Sequence, residues 1–385
     1  MRQLLTAREA AAELGISVAS LYAYVSRGLV RSQAQPGTRL RGYDAADVRA
    51  LRGRAAAGPA AGEAGAPSIE TALTLIQADR LHYRGIDLER LAAEARFETV
   101  AALLWGVGDA DPFADTAFVP VLAAPPEASL ASRLIVDLTV ASDRDPAGFA
   151  KGPGAIARTG ARILRQLTAT VSGSVAAPGS ISAGLAAGWG RVSAEPAIRA
   201  ALIATADHEL AASTFAVRVA ASTGASPWRA VSAGLACLDG PRHGGMAERV
   251  AAMLDGIAGP EDAEAALAAR LRRGEDLHGF GHPLYREADP RAGVLLRAAR
   301  RLAPDAPAVR LAEAVVASAR RLTGLFPNVD FGLVTIARAA GLPAAAPLAL
   351  FAIGRTAGWI GHVIEQAGDA ALIRPRARYV GPLPD

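Results

Sequence analysis

The chain has 385 residues, 51% of them apolar and only 5% aromatic, with 41 basic against 37 acidic side chains and a net charge of +4. That length exceeds one small core and implies two or three domains, and abundant Ala with few clustered β-branched residues favours helices over sheets. A single cysteine, Cys237, excludes an internal disulfide framework and a multi-cysteine metal site, and it fits a reducing compartment. The first residues lack the apolar stretch of a secretion signal. The longest apolar run, around 342–354, is interrupted by prolines and too short to span a bilayer. A soluble, cytoplasmic protein without membrane attachment is therefore expected.

Residues 1–54 hold nine arginines against Glu9, Glu13, Asp44 and Asp47, a local balance of +5 that leaves about −1 for the remainder. Such a local excess suits contact with a polyanion. Thr6 reads as an N-cap, and Glu9 three residues later completes a capping box before a first helix that Gly15 stops. Ser17 caps a second helix over 18–27, stopped by Gly28. A basic stretch (Arg31, Arg39, Arg41) follows, then a third predicted helix over 43–51. Two short helices around a glycine turn read as a helix-turn-helix. The order resembles the winged helix-turn-helix of the MerR and excisionase type. On that resemblance Ser17, Ser20, Tyr22, Tyr24 and Arg27 are candidate DNA contacts, and Arg39 and Arg41 candidate wing contacts. A helical module that only packs on the rest of the protein or on a dimer mate is the simpler alternative.

Residues 55–67, small and rich in Gly and Pro, read as a linker. Apolar-periodic helices split by Gly and Pro are expected over 127–141, 150–172 and 180–189. The chemistry concentrates further on, in three polar clusters. The first is Gly240-Pro241-Arg242-His243-Gly244-Gly245, just before a predicted helix over 247–257. A histidine beside a helix N-terminus is pushed toward its neutral, hydrogen-bond-donating form, which suits an enolate oxygen. The second, Gly279-Phe280-Gly281-His282, runs on to Asp289-Pro290-Arg291 and offers an imidazole to polarise a carbonyl and a guanidinium to fork a carboxylate. The third, Pro327-Asn328-Val329-Asp330-Phe331, sets a carboxylate between apolar neighbours, where partial desolvation raises its basicity. Taken singly, His243 would be a capping histidine and Asp330 an N-cap. Arg355, on one helical face with Phe351 and Trp359, needs an anion beside it: a bound dicarboxylate or an acidic side chain from elsewhere in the chain.

Together with Tyr83-Arg84-Gly85, Ala206-Asp207-His208-Glu209, Ala212-Ser213-Thr214-Phe215, Arg355-Thr356-Ala357-Gly358-Trp359 and Arg374-Pro375-Arg376, these clusters resemble the citrate synthase family in order and spacing over 68–381, most strongly from 204 onward. The resemblance implies a mainly all-α fold with a large domain (68–245 and 341–385) and a small one (246–340), beside the N-terminal winged helix-turn-helix. It implies condensation of acetyl-CoA, a co-substrate, with oxaloacetate. Asp330 would be the general base, His243 the enol stabiliser and His282 the carbonyl polariser. His208, Arg291 and Arg355 would hold the oxaloacetate carboxylates, and Arg374 would come from the partner of a homodimer. Arg286, Gly279 and Gly281 would lie against CoA. No metal and no permanently bound cofactor are expected. Met246-Ala247-Glu248 and Pro283 depart from the family's usual residues at the acyl pocket and the CoA loop. They leave acetyl-CoA and propionyl-CoA, hence citrate and 2-methylcitrate, both open. A DNA-binding regulator with a synthase-derived metabolite sensor is the reading from a different class.

Overall fold

The computed structural model describes residues 4–14, 21, 25, 31–34, 41–45, 48, 69–108, 111–114, 118–174, 180–369 and 371–381. The chain divides into two compact units, Met1–Ala66 and Pro67–Asp385. In the first, β1 (Leu4–Leu5), β2 (Ser32–Ala34) and β3 (Arg41–Asp44) form an antiparallel sheet in the order β1-β3-β2. The predicted capping box is present before α1 (Ala7–Leu14): Thr6 N donates to Glu9 Oε2 at 2.8 Å, and Glu9 N donates to Thr6 Oγ1 at 3.3 Å. Ala10, Ala11, Leu21, Tyr43 and Val48 form a small core. Leu21 and Val25 are helical, but Ser17, Ser20, Tyr22, Tyr24, Arg27 and Arg39 lie outside the described residues. Arg41 is exposed on β3 and donates to Ser32 Oγ at 3.1 Å. The third helix does not begin at Tyr43: Tyr43 and Asp44 pair across the sheet with Leu5 and Leu4, and Ala45 is the first helical residue described after them.

The second unit opens with an antiparallel meander of β4 (Thr74–Gln77), β5 (Arg80–Tyr83) and β6 (Ile86–Asp87). Leu81 and Tyr83 alternate inward along β5, as period 2 requires, and the buried Tyr83 hydroxyl donates to Ile203 O at 3.0 Å. Ala78 and Asp79 make the two-residue β4–β5 turn, both left-handed (φ 50° and 57°) as a type I′ turn demands. Helices follow: α2 (Leu88–Glu94), α3 (Phe97–Trp105), α4 (Leu130–Asp143), α5 (Pro153–Ser172), α6 (Ile181–Gly188), α7 (Glu195–Ala204), α8 (Ala212–Ser222) and α9 (Pro227–Leu238). Then come α10 (Met246–Asp255), α11 (Ala263–Arg272), α12 (Pro290–Leu302), α13 (Pro307–Thr323), α14 (Val329–Ala339) and α15 (Ala346–Ala367).

Two cores hold this unit. The larger one gathers α3, α5, α7 and α9 around α15, which is mostly apolar and buried on nearly every side because it is surrounded. Gly358 lets α15 touch the chain after α7: its N–H donates to Ala206 O at 2.8 Å, and a Cβ there would run into that oxygen and Asp207. The smaller core joins Val250 and Leu254 of α10, Leu267 of α11 and Val315 of α13 to Phe331 and Val334 of α14. α14 also sends Leu333 and Ile336 into the larger core, so it runs between the two. α12, inside the predicted small-domain segment, packs Val294, Leu295 and Ala298 into the larger core. Among the described residues no helix is long and apolar enough to cross a membrane.

Candidate active site

His243 lies in the turn between α9 and α10, which closes through Gly244 N donating to Leu238 O at 2.8 Å. A Cβ at Gly244 would collide with that oxygen, which explains the glycine. The imidazole Nε2 is 2.8 Å from Ser213 Oγ, and its ring stands edge-on to Phe351. Burial, then the Arg355 charge, pushes His243 down to about 4. The neutral form argued from the helix terminus therefore has burial and Arg355 as its causes.

His282 follows Gly281, whose φ of +75° suits glycine. Leu284 N donates to His282 Nδ1 at 3.1 Å, so the proton of the neutral ring sits on Nε2. Burial and the Arg291 charge push His282 down to about 4. His208 falls in the break between α7 and α8, beside Glu209, which has a φ of 51°. Its Nε2 is 2.9 Å from the Tyr285 hydroxyl, and burial holds it well below the usual histidine range.

The two guanidiniums differ. Arg291, predicted as a fork for a ligand's carboxylate, is already clasped by Asp289: Nε donates to Oδ1 at 2.9 Å and Nη2 to Oδ2 at 2.7 Å, both groups buried. Arg355 donates Nε–H to Thr205 O at 2.9 Å and stacks over Phe351, and its buried Nη1 has no hydrogen-bond partner. No carboxylate among the described residues lies within ion-pairing distance of it. Burial lowers Arg355 to about 10, which leaves it a cation at neutral pH. The Asp207 charge acts on Arg355 from beyond ion-pairing distance, and the unpartnered Nη1 leaves a buried donor for an anion from outside the chain.

Asp330 sits in the first turn of α14. The cap itself is Asn328, whose Oδ1 accepts from Asp330 N at 3.1 Å, so the Asp330 carboxylate is left for another use. Burial raises it to about 6, with Arg291 pulling the other way. His208, His243, His282, Arg291, Asp330 and Arg355, separated by up to 147 residues in sequence, line one cavity of about 560 Å³. Arg242, Cys237, Asn328, Phe351, Ala211 and Ala212 are among the other residues of its wall.

Four predicted residues are elsewhere. Gly279 and Gly281 lie behind the wall, exchanging hydrogen bonds with Asn328 and Phe326. Arg286 is exposed on the loop beyond His282, and Arg374 is exposed on the 371–381 segment. Sequence reasoning missed Ser213, Tyr285 and Asp289. Tyr285 lies three residues after His282 and Asp289 two before Arg291, so both sat beside the motifs that sequence singled out. Among the described residues no group of three or more His, Cys, Asp or Glu is placed to hold a metal.

The profile of the citrate synthase C-terminal domain matches residues 167–376. A putative citrate synthase 2 of Mycobacterium tuberculosis is 43% identical over 195 residues, 49% of this chain and 52% of that protein. A 2-methylcitrate synthase of Shewanella oneidensis is 36% identical over 186 residues, 48% of this chain and 50% of that protein. The chain spans about half the length of the curated relatives it matches. The citrate synthase of Thermoplasma acidophilum, solved in ternary complex with carboxymethyl coenzyme A and oxaloacetate, superposes with a TM-score of 0.70 at 26% identity, covering 83% of this chain and 95% of that one. With a family profile that takes in more than half of the chain and the same fold beneath it, the chain belongs to the citrate synthase family.

Proposed function

We propose that the protein condenses acetyl-CoA with oxaloacetate and water to give citrate and CoA. One observation carries the reading: a carboxylate of raised basicity, two neutral imidazoles and an unpaired buried guanidinium converge on a single cavity. Asp330 takes a proton from the thioester methyl while His243 donates a hydrogen bond to the thioester oxygen. This couples base and oxyanion stabiliser, without which a weakly acidic methyl would not ionise. The enol carbon attacks the keto carbon of oxaloacetate, whose oxygen His282 polarises through Nε2–H and then protonates. Water finally cleaves the thioester and releases the CoA thiol.

Arg355 holds one carboxylate, and the half-neutralised Arg291 with His208 helps hold the other. Arg374 of a second copy completes the clamp in a homodimer. Gly279, Gly281 and Arg286 border the CoA path, and 246–340 acts as a small domain that closes over it and excludes water. Residues 1–54 bind DNA through the contacts named from sequence, with Arg41 exposed on β3 in keeping with a wing. The 2-methylcitrate reading stands second because Ala211 and Ala212 leave small side chains on the wall and a 36% identical relative is a 2-methylcitrate synthase. One methylene is worth only about 1–3 kcal/mol.

The test is thiol release by purified protein from acetyl-CoA and from propionyl-CoA, with and without oxaloacetate. Oxaloacetate-dependent release supports a synthase, and the ratio of the two donors selects the acyl group. No release from a folded protein that still binds oxaloacetate would instead favour a metabolite sensor.

A further inference from the structure

The loop that carries His282 and Tyr285 is fixed at both ends. At its start Gly281 N donates to Phe326 O at 2.8 Å and Asn328 Nδ2 to Gly281 O at 3.2 Å; at its end Asp289 Oδ2 accepts from Val329 N at 3.1 Å. Its outer stretch is held from a distant part of the chain. Asp79 Oδ1 accepts the Arg286 N–H at 2.7 Å, and Oδ2 accepts the Glu287 N–H at 3.1 Å. Each oxygen serves one backbone donor, next to Tyr285, whose hydroxyl meets His208 in the cavity.

We infer that Asp79 is a positioning residue, whose carboxylate clamps this loop so that His282 and Tyr285 keep their places on the cavity wall. The turn that bears it supports a role beyond chain reversal. Ala78 and Asp79 both take left-handed φ, a conformation that Asn-Gly enters far more readily. A turn selected only for reversal has no use for this pair, whereas a carboxylate is the side chain that accepts two N–H bonds on two separate oxygens. Clamping the loop backbone restricts His282 Nε2 to the small range of positions that acid and hydrogen-bond catalysis tolerate. The catalytic part of this inference rests on the function proposed above; the clamp does not.

Asp79→Gly and Asp79→Asn in the full chain separate positioning from folding. Glycine relieves the left-handed turn and removes both acceptors; asparagine tolerates the turn and keeps one acceptor. In Asp79→Gly, amide hydrogen exchange in a peptide covering 281–289 should accelerate by about tenfold or more while the rest of the chain keeps its protection. The melting temperature should stay within roughly 4 °C. Oxaloacetate-dependent kcat should fall by about tenfold, with Asp79→Asn intermediate in both exchange and rate. Unchanged exchange over 281–289 overturns the clamp. So does a loss of rate that only follows a general loss of protection, with asparagine no better than glycine. If the unaltered protein releases no thiol, the proposed function falls, and the exchange comparison still decides the clamp.

Discussion

Asp330 places stability and chemistry in opposition. Its carboxyl is raised from 3.8 to about 6 by burial, so the fold disfavours the ionised form that the proposed reaction uses. Well below pH 3.8 the group is protonated whether folded or not and carries no penalty. As pH rises through about 6 the folded protein must bear a buried charge, and stability is lost. Asp330→Asn removes that charge, so the variant should be more stable than the parent by roughly 2 kcal/mol at pH 8 and indistinguishable from it at pH ~3. Denaturant midpoints at the two pH values read this, and a variant less stable at pH 8 would refute it. The same substitution should lower condensation by about 10²–10⁴. The imidazoles make a further prediction. His243 and His282 lie near 4 and stay neutral through the physiological range. The acid limb of kcat/KM should therefore fall near pH 6 and report Asp330, not a histidine. An acid limb near 4 would shift the base to another group.

At the scale of elements, helices were legible wherever apolar periodicity met Gly or Pro. α4, α5, α6 and α10 fall within a few residues of their predicted spans. The clusters around His243, His282 and Asp330 were legible for the same reason, since glycines and prolines mark the loops. The break at 206–211 was not legible, because Ala, Leu and Glu there favour helix. Long-range contacts override that preference: Thr74 Oγ1 donates to the buried Asp207 at 2.5 Å, His362 lies 3.3 Å from the same carboxylate, and Asp207 N donates to the Tyr83 hydroxyl at 3.3 Å. Pairing of Tyr43 with Leu5, and the closure of Asp289 on Arg291, likewise depend on partners that local pattern does not reveal. Gly358 tests how far α15 sets this break. Gly358→Ala should push α15 off Ala206 and Asp207 and destabilise by about 1–3 kcal/mol. Because Arg355 and His208 sit on the displaced parts, oxaloacetate affinity by calorimetry should fall as well. Gly154→Ala, with only the end of the Arg158 side chain nearby, should change neither.

Across the whole molecule, the proposed chemistry draws on both cores of the second unit. Asp330 stands at the head of α14, which belongs to each, and Arg355 on α15 belongs to the larger. The proposed oxaloacetate clamp is still short of one cation, because Arg291 is shared with Asp289 and Arg374, exposed on the 371–381 segment, does not line the cavity. If Arg374 enters the site of a second copy, each site needs residues from two chains. Mixing two inactive variants then discriminates sharply. In a dimer of Asp330→Asn with Arg374→Ala, the site built on the Arg374→Ala chain keeps its own Asp330 and receives the other chain's Arg374, so it is whole. Unfolding and refolding an equal mixture gives mixed dimers in about half the population, each with one intact site of two, and activity should recover to about a quarter of the parent's. Were Arg374 to serve the cavity of its own chain, both sites of the mixed dimer would lack a group, and no activity would return.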